Sequence, residues 1–195
     1  MRLNMKKLII LLILLILPTM SFASPFGLKM GMSLKEVEKV SLEKPVLIKN
    51  DQYLIKPKKT HPRFELYVVL VDGSKGLYEI RAISSSIKTN EYGTELRSLF
   101  NEVKDRISKK YGYPLVRDEI DPQSAFNEDN YWLYTLKNGA RTLGAIWDLR
   151  ESMKDNVALI TLECRADQTQ NDPWLILYYY FENASKIQDD QDSVF

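Results

Sequence analysis

Thr94-Glu95-Leu96-Arg97-Ser98-Leu99-Phe100-Asn101-Glu102-Val103-Lys104-Asp105-Arg106-Ile107-Ser108-Lys109-Lys110-Tyr111-Gly112 is the stretch on which the fold turns. Leu96, Leu99, Phe100, Val103, Ile107 and Tyr111 fall on one stripe at helical spacing, and Thr94 is placed to cap it. Lys109 and Lys110 meet the negative end of the helix dipole, Gly112 offers the left-handed stop, and Tyr113-Pro114 bars continuation. Downstream the period changes from 3.6 to 2. A polar stretch over 117–130 is followed by strand-like runs at Tyr131 to Leu136, Arg141 to Leu149, Val157 to Arg165 and Trp174 to Phe181. Asn138-Gly139 reads as a hairpin turn between the first two runs. Residues 184–195 are polar and acidic, without a period, and read as a disordered tail.

Upstream the same order appears once more. Ser33-Leu34-Lys35-Glu36 is a capping box, with Leu34, Val37 and Val40 on the following turns and Met32 able to staple onto Val37. Val46 to Ile48 and Tyr53 to Ile55 flank the turn pair Asn50-Asp51, and Phe64 to Val71 and Leu77 to Ile87 flank Asp72-Gly73-Ser74-Lys75-Gly76. Helix then strands, twice, predicts an α+β fold: an antiparallel sheet with helices packed on one face, built from two tandem modules over 24–89 and 90–183.

The chain opens with a leader. Arg2, Lys6 and Lys7 precede the apolar run Leu8 to Leu17, and Ser21-Phe22-Ala23 supplies small residues for a cut after Ala23. A spanning helix needs about 20 apolar residues, whereas this run breaks at Pro18, so residues 1–23 read as a cleavable signal peptide and no stable membrane anchor. No cysteine stands at the cut to carry a lipid, so the expected compartment is the periplasm or the extracellular space. Cutting there removes three of the 27 basic residues and none of the 26 acidic ones, leaving a nearly neutral chain. That balance argues against nucleic acid as a partner, which calls for a basic stripe. With Cys164 as the lone cysteine no intramolecular disulfide forms, so packing must carry stability.

The inventory for chemistry is short. His61 is the single histidine, between Thr60 and Pro62, and Cys164 falls on the alternation Ala158, Ile160, Leu162, Cys164 of a buried strand face. A metal site of clustered histidines and cysteines is therefore not expected, and neither is a cofactor. Asp118, Glu119, Asp121, Glu128 and Asp129 offer carboxylates for a glycan hydrolase's acid and base pair, which would need two of them held apart in different environments. Lys56, Lys58, Lys59 and Arg63 form a local basic patch.

Aromatic residues are more telling. In Trp174 to Phe181, if Leu175, Leu177, Tyr179 and Phe181 pack under the helices, then Trp174, Ile176, Tyr178 and Tyr180 point the other way. Ile146, Asp148 and Arg150 from one strand and Thr161, Glu163 and Arg165 from another are their expected neighbours. An aromatic and charged face of this kind has the composition of a protein-binding hot spot.

Residues 26–37, Phe-Gly-Leu-Lys-Met-Gly-Met-Ser-Leu-Lys-Glu-Val, resemble the opening of envelope proteins of the BamE/SmpA type, which begin with a glycine turn and a capped helix. The doubled helix-and-strands order resembles the tandem modules of β-lactamase inhibitor proteins. Both resemblances imply a protein that binds other envelope proteins and has no active site. The expectation is a non-enzymatic exported binding module whose partner is another envelope or secreted protein, acting as an inhibitor, an immunity or exclusion factor, or an assembly accessory. The competing expectations are a carrier of a small apolar ligand and the hydrolase.

Overall fold

A computed structural model describes residues 24–152, 154–168 and 172–192; the expected signal peptide, residues 1–23, lies outside them. The capping box closes as its spacing demands. The Ser33 backbone N–H and hydroxyl both donate to the Glu36 carboxylate at 2.8 Å, starting helix α1 (Leu34–Val40), whose Val37 is fully buried. Beyond it, the buried Ser41 hydroxyl accepts the Lys56 N–H at 3.2 Å and donates to the Lys56 carbonyl at 3.1 Å, so burial leaves no orphan there.

Strands β1 (Val46–Lys49) and β2 (Gln52–Ile55) join across Asn50, whose φ of 51° is the left-handed conformation expected of that turn. Strands β3 (Leu66–Asp72) and β4 (Gly76–Ile83) join through a turn in which Asp72 Oδ1 accepts the Ser74 N–H and Lys75 N–H at 2.8 Å and the Ser74 hydroxyl at 2.7 Å. Helix α2 (Thr94–Tyr111) buries Leu96, Phe100, Val103 and Ile107 and stops at Gly112, φ 89°. Its start differs from expectation: Thr94 is the first helical residue, after a left-handed Gly93. The capping passes back to Thr89 and Asn90, whose side-chain oxygens accept the Glu95 and Thr94 N–H groups, each at 3.2 Å.

Three segments correct the sequence reading. The polar stretch 117–130 is not a loop throughout, since strand β5 (Leu115–Ile120) occupies its beginning; as an edge strand it buries little and leaves no alternation to read. Tyr131 to Leu136 is not a strand but a 3-10 turn running into helix α3 (Trp132–Lys137). Gly139 takes φ 80° to end that helix, not to make a hairpin, because the same positive φ serves either purpose. The expected disordered tail over 184–195 contains helix α4 (Asn183–Asp192), held by Asn183 Nδ2, which donates to the Lys75 and Leu77 carbonyls at 3.1 Å, and by the burial of Ile187.

With β6 (Arg141–Asp148), β7 (Val157–Arg165) and β8 (Trp174–Phe181), all strands form one eight-stranded antiparallel sheet in the order β1-β2-β3-β4-β8-β7-β6-β5. The residues before Gly93 and those after it each supply four neighbouring strands in a meander. The last strands of the two sets, β4 and β8, pair at the centre with Arg81 opposite Tyr178. Helices α1, α2 and α3 share one core with the inner residues of the sheet, such as Tyr67, Ile80, Trp147, Ile160, Leu177 and Phe181. A bulge in β7 between Val157 and Leu159 shifts the alternation, so Val157, not Ala158, joins the inner side.

Candidate protein-binding face

Side chains of directly paired residues in an antiparallel sheet lie on the same face, so the register places the outer residues. In β8, Leu175, Leu177, Tyr179 and Phe181 are buried on the helix side. Trp174, Ile176, Tyr178 and Tyr180 therefore face outward. Tyr178 lies between Arg81 of β4 and Thr161 of β7, and Thr161 in turn stands beside Ile146 of β6. Ile176 lies between Ile83 and Glu163, and Tyr180 between Glu79 and Leu159.

At the centre, Tyr178 and Tyr180 stack with ring centroids 5.8 Å apart and planes 10° from parallel. The Arg81 guanidinium stands 5.7 Å from the centre of the Tyr178 ring and is ion-paired with Glu79. The same acid-then-arginine step recurs twice nearby: Glu163 pairs with Arg165 on β7, and Asp148 with Arg150 at the end of β6. Spacing of two puts both members of the Glu79–Arg81 and Glu163–Arg165 pairs on one face of an extended strand. Burial, and then the Glu163 carboxylate, holds the Tyr178 phenol above its ordinary pKa; burial, and then Glu79, does so for Tyr180. Both phenols are neutral hydrogen-bond donors at physiological pH. Thr161 Oγ1, in the middle of this face, is buried without a hydrogen-bond partner.

Of the residues expected on the face, the sheet brings Trp174, Tyr178, Tyr180, Thr161, Glu163 and Ile146 together. Ile176 lies there too but is only 8% exposed, so it supports the face more than it presents itself. Asp148 and Arg150 are exposed at the β6 end, Arg150 beyond the strand itself, with its Nε 2.9 Å from Asp148 Oδ1. The sequence reading missed the β4 contribution, Glu79, Arg81 and Ile83. The alternation of β4 carried the signal, but nothing local says that β4 and β8 are neighbours. Toward β4 the surface is narrowed: Glu79 is 5% exposed, α4 touches β4, and Ile187 is buried outside the inner core.

The other candidate groups are dispersed. Asp118 and Glu119 are consecutive in β5 and point to opposite faces, with Asp118 paired to Arg141 at 2.7 Å. Cys164 is buried in the inner core, and burial pushes its thiol well above the usual range. The basic patch spends its charges on separate partners: Lys56 on Glu43 at 2.9 Å, Arg63 on Glu102 at 2.7 Å, and Lys58 on the Lys39 carbonyl at 2.7 Å. Among the described residues no group of three or more His, Cys, Asp or Glu side chains is arranged to hold a metal ion, and no helix is long and apolar enough to cross a membrane.

No family model, no curated protein and no solved structure matches the chain.

Titration of these groups sets how stability depends on pH. Hydrogen bonds from Ser33, Ser74, Thr89 and Arg63 lower the carboxyls of Glu36, Asp72, Glu95 and Glu102, and Arg150 holds Asp148 at about 2. A carboxyl that is more acidic in the fold than in the unfolded chain contributes stability above its unfolded pKa of about 4 and loses it as pH falls. His61 is also lowered, by burial first and then by Arg106 and Arg63, so the fold prefers it neutral and begins to lose stability as pH drops below about 6.5. Melting followed by circular dichroism is expected to show a plateau from pH 8 to about 6.5, a shallow decline below it and a steep one under about pH 5. The His61→Gln variant is expected to lack the shallow step and keep the steep one.

Proposed function

We propose that this is an exported, non-enzymatic module that binds another envelope or secreted protein on the outer face of β6, β7 and β8. The observation that carries this reading is the stacked Tyr178 and Tyr180 pair, flanked by Arg81 and by the pairs Glu163–Arg165 and Asp148–Arg150, on the side of the sheet away from α1, α2 and α3. Tyrosine and arginine at the centre of a patch with a charged rim are what protein interfaces select. A rigid strand holds the rings at low entropic cost, and their neutral phenols gain partners on docking. Export rests on the leader over residues 1–23, with cleavage after Ala23 into the periplasm or medium. The likeness of residues 26–37 to BamE/SmpA-type openings agrees with that compartment. Inhibition, immunity or exclusion, and envelope assembly are the roles that such binding would serve.

The test is affinity capture from envelope extract on the purified exported chain, run beside the Tyr178→Ala, Tyr180→Ala double variant. Each lost hot-spot ring costs about 2 kcal/mol, so the captured partner is expected to bind the double variant at least roughly 30-fold more weakly. Equal affinity for both chains, with both folded, contradicts the reading.

A further inference from the structure

On the opposite side of the sheet, a cleft of about 190 Å³ opens between α2 and the inner residues Leu177 and Tyr179 of β8. Its walls are apolar: Phe26, Phe64, Val103 and Ile107 close it together with those two. Its mouth is not, since His61, Arg106, Lys110 and Tyr111 stand around it. We propose that this cleft binds a small monoanionic amphiphile, an arene carboxylate or short acyl carboxylate, with the apolar body inside and the carboxylate at the Arg106 and His61 end of the mouth. This site is separate from the sheet face proposed above and does not depend on it.

Size and shape argue for the body. An apolar cavity of roughly 150 Å³ accommodates a benzene ring, so this cleft accepts one ring or a comparably short chain. Phe26 presents its ring there at the expense of a left-handed backbone, φ 54°, a conformation that disfavours a residue with a side chain. The ring meets Tyr67, Tyr179 and Phe64 edge-on, at centroid distances of 4.9, 6.0 and 6.4 Å. Although packed by three rings it remains half-buried, with the cleft on its open side.

Charge argues for the head group. Arg63 at 2.7 Å and Arg106 at 3.2 Å share the single carboxylate of Glu102. Lys110 lies 2.5 Å from Asp155, which also accepts the Tyr111 hydroxyl at 3.0 Å, while the Lys154 ammonium stands 5.9 Å from the centre of the Tyr111 ring. Two guanidinium groups thus share the Glu102 carboxylate, and the Lys154 ammonium, which donates to the Lys110 carbonyl at 2.7 Å, adds positive charge beside Tyr111. Burial is the main reason His61 is held below its ordinary basicity; Arg106 and Arg63 add to it and Glu102 partly offsets them, so the charge at this end of the mouth comes from the two guanidinium groups. Asp155, with its second oxygen buried and unpartnered, makes the Tyr111 end of the mouth unfavourable for an anion. The Arg106 and His61 end is left.

The test is a ¹H–¹⁵N titration of the purified protein with benzoate, benzyl alcohol and benzylamine, three probes of nearly one shape and different charge. Benzoate is expected to give saturable shifts at the amides of Phe26, His61, Ile107 and Tyr111, with a Kd on the order of 1 mM, as suits so small a ligand. Benzyl alcohol is expected to bind there at least about tenfold more weakly and benzylamine more weakly again. Arg106→Gln is expected to bring the affinity for benzoate down to that for benzyl alcohol and to leave the latter unchanged. Benzoate binding no tighter than the alcohol in the unmodified protein, or shifts that fail to saturate or gather at Tyr178 and Tyr180 instead, overturns the proposal whether or not the variant folds.

Discussion

Gly93→Ala is expected to cost about 3 kcal/mol of folding stability, enough to lower the melting temperature of a chain this size by about 6–12 °C. Two physical effects add. Gly93 sits at φ 67°, where an L side chain costs roughly 1–2 kcal/mol. A Cβ there would also lie 2.2 Å from Cε3 of Trp132, so the indole must move within a packed core, at roughly 1–3 kcal/mol. Gly93 is where three elements meet: its N–H bonds the Asn90 carbonyl at 2.9 Å, its carbonyl accepts Arg97 N–H of α2 at 2.9 Å, and Leu133 N–H of α3 bonds the Glu91 carbonyl at 2.9 Å. Gly139→Ala separates backbone strain from steric clash, since Gly139 has φ 80° and no atom within 4 Å of its would-be Cβ. It is expected to cost only about 1–2 kcal/mol. Thermal and urea unfolding of the two variants checks this, and equal losses would mean that Trp132 does not press on Gly93.

Trp147→Ala is the second large effect, expected at about 3–5 kcal/mol. Trp147 is fully buried on the inner side of β6, and its Nε1 donates to the Gly112 carbonyl at 2.9 Å, tying the left-handed stop of α2 to the sheet. Truncation leaves both a cavity and an unpaired carbonyl. Trp147→Phe keeps most of the packing and loses the bond, so about 1–2 kcal/mol is expected from it. Urea midpoints for the three proteins distinguish the two contributions; a Phe variant as damaged as the Ala variant would mean that the lost hydrogen bond, not the lost volume, accounts for most of the damage.

The sheet interior and the longest helix were legible in the sequence for a simple reason: strong amphipathic periods follow from deep burial on one side. The alternation of Trp174 to Phe181 separates inner from outer residues as the structure does, and Leu96, Phe100, Val103 and Ile107 form the buried stripe of α2. Where burial is slight the period fades. β5 is almost wholly exposed at the sheet edge, and α4 rests on Ile187, 4% exposed, so neither left a pattern. Tyr131 to Leu136 misled for another reason: a short apolar run satisfies strand and helix alike, and Gly139 ends either. On the outer face, tyrosines and partners from β6 to β8 were legible because they follow one another in the chain. Glu79 and Arg81 were not, because their place beside Tyr178 depends on the pairing of β4 with β8, strands nearly a hundred positions apart.

The proposed docking of a partner on the outer face of β6 to β8 can be read directly in living cells. A photo-crosslinking residue is placed at position 178, at 163, or at Tyr113, which is 99% exposed on the loop after α2. The same adduct is expected from 178 and 163 and none from 113. An adduct from 113 alone, or the same adduct from all three, would contradict a partner docked on that face.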